Sequence, residues 1–345
     1  MSQRDRGVLA GTAKIQSHFW NNRIVSDNAP MSEIELHRKL LGDHARNEAF
    51  RAALKKVITP GHTTVADLGA GTGFLSFLAR QLGAAHCTLV EYTDTLDLAV
   101  TLARANKIDE LTFIKGHSGE LKRPTKVDVV VSETLGNYAL EENLLETLND
   151  ARRYLKKGGV IIPCGLKQFV APVLSSRLQG EIDVWGEVGY QIRLDAARLI
   201  SLNNMYVRAI SPADLGGSEV HAKCWDTLRF EPTAEAAPSL RRSSQHWSAK
   251  TLGNVTIHGY ALWWEAELQP GIVLSTSPFA AATHWEQIYL PLLAPVRLAA
   301  GESLEVTLMS DTRPEVGLNV GWRTRVLREG KAPSTQEQEL AKGRL

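Results

Sequence analysis

The chain has 345 residues, room for about two domains at ~150 residues each, with 43% hydrophobic and 22% charged residues. Its 39 Lys and Arg against 38 Asp and Glu leave a net charge of +1, which excludes a surface built to grip nucleic acid or an anionic membrane, and the composition excludes disorder of the whole chain. Cys87, Cys164 and Cys224 are scattered and form no disulfide or zinc pattern; no run approaches the ~18 apolar residues of a membrane span, and the opening residues lack a secretory apolar core. A reducing cytoplasm is the expected compartment.

Residues 1–60 read as an N-terminal helical segment behind a polar leader, since Leu40, Leu41, Phe50 and Leu54 recur at helical intervals and Pro60-Gly61 closes the stretch. From 61 to 163 strands and helices alternate: strands at 65–69, 87–91, 111–115, 127–132 and 160–163, helices at 73–82, 94–106 and 142–157. This rhythm makes the fold class α/β, with a parallel sheet and helices on its faces. Residues 164–330 change character, with β-rich runs at 254–267, 284–293 and 317–327 that suggest an antiparallel barrel or sandwich. A helical stretch at about 174–214 interrupts those strands and projects. Residues 331–345, rich in Ser, Gln and Glu, read as a flexible tail.

The sharpest local signal is Val65-Ala-Asp67-Leu-Gly69-Ala-Gly71-Thr-Gly73, a strand running through a glycine loop into a helix. Glycine there lets backbone approach a ligand closely and adopt positive φ. Glu91 ends the next strand, 24 residues after Asp67, where an acidic side chain accepts both hydroxyls of a ribose. The loop lacks the G-x-G-x-x-G spacing that seats a pyrophosphate, because position 74 is Phe. That spacing favours S-adenosylmethionine over NAD, with Asp67 holding the loop and the cofactor's amino group. A plain strand-to-helix turn is the alternative without a ligand.

After the fourth strand comes Ser132-Glu133-Thr-Leu-Gly136-Asn-Tyr-Ala-Leu-Glu141-Glu142. Glu133 stands at a strand's carboxyl end and faces the cleft, and a turn at Gly136 brings Glu142 back beside it. Facing carboxylates need a cation between them. A metal ion would call for further Asp, His or water ligands, whereas a guanidinium offers a planar fork that suits two carboxylates.

These residues resemble the protein arginine N-methyltransferases. The pattern Ser132, Glu133, Gly136, Glu142 is similar to that family's double-glutamate loop; Thr283-His284-Trp285 is similar to its Thr-His-Trp loop; and His37-Arg-Lys-Leu40-Leu41-Gly-Asp43-His-Ala-Arg46 resembles its cofactor helix. With the glycine loop, the matches run in order from about 37 to 328. The resemblance implies a Rossmann-like domain of the class I S-adenosylmethionine-dependent type behind N-terminal helices, then an antiparallel β-barrel. In that barrel the 174–214 stretch is a dimerisation arm, and Trp185, Val188, Tyr190 and Met205 dock on a second subunit in a homodimer.

The resemblance also assigns roles. Glu133 and Glu142 hold the guanidinium of an arginine-containing protein or peptide, and Glu133 borders the cofactor as well. His284, oriented by Asp43, is one candidate to collect the proton after attack on the sulfonium methyl and Glu142 is another, with S-adenosylhomocysteine as product and no metal. Arg46 and His37 take the methionine carboxylate, Glu91 the ribose and Ser118 the adenine, while Gly69, Gly71 and Gly73 line the cofactor. Leu40, Leu144 and Trp285 shape the substrate pocket, and the absence of a bulky Phe at the two leucines implies mono- and asymmetric dimethylation, as in type I members. Two departures stand out: Gly119 where the family has a carboxylate, and no Tyr-Phe-x-x-Tyr motif near 27–31, for which Phe19 and Trp20 are the available aromatics. They keep open an N-methyltransferase for a small guanidine or amine, and a catalytically silent binding protein.

Overall fold

The computed structural model describes residues 33–233 and 235–345. Phe19, Trp20 and the 27–31 stretch lie outside the described residues. Helix α1 (Glu33–Leu41) leads into α2 (His44–Val57) through Gly42-Asp43, where Asp43 has extended backbone and its Oδ1 accepts the N–H of Arg46 at 2.9 Å. This cap satisfies one of the donors that every helix start leaves unpaired. Phe50, Ala53 and Leu54 form the buried face of α2.

Five strands follow, β1 (Thr64–Leu68), β2 (His86–Glu91), β3 (Leu111–Lys115), β4 (Val127–Val131) and β5 (Leu155–Ile162), linked by α3 (Phe74–Gln81), α4 (Thr95–Ala105) and α5 (Leu144–Ala151). They pair in parallel in the order β3-β2-β1-β4-β5. Val65, Ala66 and Leu68 of β1 and Val129, Val130 and Val131 of β4 are buried. Such continuous apolar runs are what a sheet covered on both faces requires. Strand order reverses between β1 and β4, so their carboxyl ends open a crevice. The Ser132 hydroxyl donates to the Leu68 carbonyl at 2.8 Å and ties those ends together.

Beyond β6 (Gly165–Val173) lie the arm helices α6 (Arg177–Ile182) and α7 (Asp195–Ser201), then β7 (Tyr206–Arg208), β8 (Lys223–Arg229), β9 (Leu240–Ser248), β10 (Val255–Gln269), β11 (Ile272–Ser275), β12 (Gln287–Leu298), β13 (Ser303–Asp311), β14 (Asn319–Arg328) and β15 (Lys331–Glu339). They build two antiparallel sheets, β7-β12-β10-β6-β8 with β11 on β10, and β15-β14-β13-β9. The sheets share a core: Trp322 Nε1 donates to the Pro291 carbonyl at 2.8 Å and Tyr260 Oη lies 2.9 Å from Thr324 Oγ1.

Three sequence expectations are corrected. Residues 331–345 are no flexible tail: β15 pairs with β14 over most of its length, and a 3-10 turn follows at Leu340–Gly343. The side chains of β15 are mostly exposed, so backbone pairing holds an edge strand that polar composition disguises. The helix expected at 142–157 ends at Ala151, and Lys156-Lys157-Gly158-Gly159 belongs to β5. Met205, expected to dock on a second subunit, is 3% exposed because it packs into the chain's own main core just before β7 begins.

Gly73 and Gly61 both have positive φ, 79° and 74°. A Cβ on Gly73 would lie 2.8 Å from the Phe77 ring and 2.9 Å from Leu89, whereas one on Gly61 would meet open space. Gly61→Ala should cost about 1–2 kcal/mol of unfolding free energy and Gly73→Ala about 2–5 kcal/mol, through added overpacking. Urea denaturation of both variants checks this, and equal losses would refute the packing argument.

Candidate active site

The crevice between β1 and β4 is floored by the glycine loop. Gly69, Gly71 and Gly73 all have positive φ, which suits residues without Cβ. A Cβ on Gly71 would stand 3.0 Å from His37 Cε1 of α1, so that imidazole lies against the loop. Glu91, at the end of β2, accepts the N–H of Gly71 at 2.9 Å and that of Thr93 at 2.8 Å, bracing the loop from the neighbouring strand. Asp67 accepts the N–H and hydroxyl of Ser76 at 3.1 and 2.8 Å, fastening the start of α3 to β1. Complete burial pushes its carboxyl up to about 7, against those two bonds and with the charge of Glu91 adding to the rise.

Glu133 lies two residues past β4. Its Oε2 receives Nε and Nη2 of Arg46 at 2.9 and 2.5 Å, and both side chains are 4% exposed. Arg46, expected to face the cofactor's carboxylate, here spans α2 and the glutamate loop. Glu142 lies across that loop. It is open to solvent yet hemmed by protein, and this desolvation, with the charges of Glu133 and Glu141, pushes its carboxyl up to about 8. Two tryptophans, one from β10 and one from the loop before β12, grip the loop backbone: Trp285 Nε1 donates to the Leu135 carbonyl at 2.7 Å and Trp264 Nε1 to the Gly136 carbonyl at 3.0 Å. Their rings meet edge to face, with centroids 5.0 Å apart.

His284 enters from the loop before β12. Its backbone N–H and its Nδ1 each lie 2.8 Å from Asp43 Oδ2. The carboxylate only accepts, so Nδ1 carries the proton in this contact. Burial raises the Asp43 carboxyl, but the N–H groups of Arg46 and His284 and the imidazole outweigh it and hold it below the usual value. Burial also lowers the His284 pKa, only partly offset by Asp43 and Glu133, so the ring is neutral at neutral pH.

The structure therefore brings together His37, Asp43, Arg46, Asp67, Gly69, Gly71, Gly73, Glu91, Glu133, Glu142 and His284 around one crevice. Ser118 is buried at the end of β3, its carbonyl accepting Tyr154 Oη at 2.8 Å. Leu40 is half-buried, while Leu144 is fully buried in the main core and presents no surface to a pocket, because the apolar face of α5 packs inward. Trp285, expected to shape the pocket, anchors the loop's backbone instead. Sequence reasoning missed Trp264, whose only signal was the Trp263-Trp264 pair in a strand, and Glu141, visible only as the neighbour of Glu142. Among the described residues no cluster of three or more His, Cys, Asp and Glu is arranged to hold a metal, and no helix is long and apolar enough to cross a membrane.

Residues 60–185 match a family model for a methyltransferase domain, and residues 167–316 match one for the arginine methyltransferase oligomerization subdomain. The chain is 31% identical over 303 residues to protein arginine N-methyltransferase 6 of Xenopus tropicalis, spanning 82% of this chain and 86% of that one. It belongs to the protein arginine N-methyltransferase family. The Danio rerio protein of the same name is 29% identical over 269 residues, 76% and 77% of the two chains. Two solved structures share the fold at 22% identity: a Trypanosoma brucei PRMT1 enzyme-prozyme heterotetrameric complex with AdoHcy, TM-score 0.76 over 88% of this chain and 98% of that one, and an open conformation of Arabidopsis thaliana protein arginine methyltransferase 10, TM-score 0.75 over 89% and 97%. Within this arginine methyltransferase, Gly119 carries no carboxylate and Glu120 is exposed, so Ser118 is the buried polar residue at the end of β3.

Proposed function

We propose that this arginine methyltransferase transfers methyl groups from S-adenosylmethionine to arginine guanidinium nitrogens of proteins or peptides, giving mono- and asymmetrically dimethylated products. One observation carries the reading: the Glu133 carboxylate beside the glycine loop already binds a guanidinium, that of Arg46, through two N–H donors. The residues present fit the cofactor. The loop's glycines hold positive φ, a Cβ would crowd Thr134 at Gly69 and Phe77 at Gly73, a buried Thr134 hydroxyl beside the loop lacks a partner among the described residues, and no phosphate-binding spacing is present. Glu91 would hold the ribose, Ser118 the adenine edge, and Arg46 with His37 the amino-acid carboxylate, while Asp67 keeps loop and helix in place. When bound, the cofactor supplies an electrophilic methyl on a cationic sulfur.

A free guanidinium is a poor nucleophile, because its lone pairs are delocalised and its pKa exceeds ~12. Glu133 and Glu142 would hold it in one orientation and stabilise charge on its far nitrogens, leaving one nitrogen aimed along the crevice. His284 would collect the proton released: Nδ1–H is committed to Asp43, so neutral Nε2 is the free acceptor. Free Cys87, Cys164 and Cys224 support the reducing cytoplasm as the site of action.

Tandem mass spectrometry of an arginine-containing peptide library, run beside free arginine, tests the reading. The expected result is one or two methyl groups on a single terminal guanidino nitrogen of peptide arginine; methylation of free arginine alone would replace the protein substrate with a small one.

The raised Glu142 carboxyl is neutral below about 8 and anionic above it. Because the anion is the form that grips the guanidinium, kcat/KM for a peptide should climb from pH 6.5 to 8.5. Glu142→Gln should flatten that limb and lower kcat/KM at least tenfold at pH 8.5, ~1.4 kcal/mol of barrier, with cofactor affinity within twofold. An unchanged limb would remove Glu142 from the grip.

We also propose a homodimer built through 174–214. Val188, Tyr190, Ile192 and Leu199 on the arm are 44%, 88%, 62% and 54% exposed. A row of such residues on one projection marks a contact surface. Light scattering at micromolar concentration should give twice the 37.9 kDa chain mass, and Tyr190→Glu with Ile192→Glu should halve it. A monomeric, active unmutated chain is the contrary result.

A further inference from the structure

The glutamate loop contains a third carboxyl that the transfer itself does not use. Glu141 precedes Glu142, and its side chain turns into the loop. Its Oε1 accepts the backbone N–H of Asn137 at 2.8 Å, closing residues 137–141 into a clasp. Its Oε2 is buried without a hydrogen-bond partner among the described residues. The space it fills exists only because residue 136 is glycine: a Cβ there would lie 2.1 Å from Glu141 Cγ and 2.2 Å from Oε1. The clasp reaches both halves of the site. Asn137 Oδ1 accepts the N–H of Glu286 at 2.9 Å, two residues past His284, and the Gly136 carbonyl is the one Trp264 binds.

We propose that Glu141 is a positioning residue of the acceptor site: seated in the gap at Gly136, it clasps the loop so that Glu142 is presented toward Glu133, and it places a second negative charge beside Glu142. This rests on reading Glu133 and Glu142 as the acceptor carboxylates. The geometry explains why the clasp is a carboxyl. An apolar side chain of similar length would leave the Asn137 N–H without an acceptor, which costs ~1–3 kcal/mol for a buried donor. An amide would keep that acceptor and lose the charge. The groups that act electrostatically on Glu142 are the carboxyls of Glu133 and Glu141, with Arg46 bound to the former. The Glu141 carboxyl is itself raised to about 7 by burial, opposed by the N–H groups of Asn137 and Tyr138.

The full-length chain separates the two roles of Glu141. Glu141→Gln retains an oxygen for the Asn137 N–H, so kcat/KM for an arginine peptide at pH 8.5 should stay within threefold of the unmutated enzyme. Its acid limb should move at least half a pH unit lower, because one negative neighbour of Glu142 is gone. Glu141→Ala should lose at least tenfold in kcat/KM while the cofactor dissociation constant changes less than twofold. An acid limb unmoved in Glu141→Gln overturns the proposal, as does an Ala variant within twofold of the unmutated enzyme. If Glu141→Ala does not fold, the pH profile of Glu141→Gln decides alone. An unmutated enzyme that methylates no arginine peptide overturns the proposed function as well, whereas active enzyme with indifferent Glu141 variants overturns this inference only.

Discussion

A carboxylate withdrawn from water must find a cation or take up a proton, and the site is organised by that requirement. Glu133 has a cation, the guanidinium of Arg46, in a pair buried on both sides. Glu142 has none among the described residues, and the protein packed around it, with the charges of Glu133 and Glu141, raises its proton affinity. One acid is satisfied within the chain and the other is poised for a partner from outside. The ligand that relieves Glu142 should be flat, cationic and able to donate to two acids at once, which is the chemistry of an arginine side chain.

Holding two such acids close requires a loop that cannot relax away from them. The loop spans 132–142, follows a strand of the parallel sheet, and is gripped by side chains from β10 and from the loop before β12. Ser132 fastens its start to β1, Trp264 and Trp285 bind its carbonyls, and Asn137 joins it to the His284 loop. Asp43 works at the same junction, capping α2 with one oxygen and holding His284 with the other. Neither the parallel sheet nor the antiparallel pair contains a complete site.

Local spacing carried far in this chain. The glycines, Asp67 and Glu91 were legible because a strand runs through a tight turn into a helix and the next strand ends at Glu91, 24 residues after Asp67, so the chemistry of each type is stated by its position. Glu133, Gly136 and Glu142 were legible for the same reason. Polar composition misled at residues 331–339, where pairing is between backbones and side chains carry little information, and at 156–159, where two lysines and two glycines stand inside a strand. Met205 misled because its burial depends on core residues distant in sequence.

What the sequence by itself determined is the α/β order, the glycine turn and the supply of acids, since each is set by neighbours along the chain. Only tertiary structure decided that Arg46 lies on Glu133, that Asp43 meets His284 across 241 positions, that tryptophans brace the loop, and that Glu141, not Glu142, turns into the loop to accept the Asn137 N–H. Those contacts join residues far apart in sequence or choose between adjacent identical residues. No periodicity encodes either; packing of two domains against one loop does.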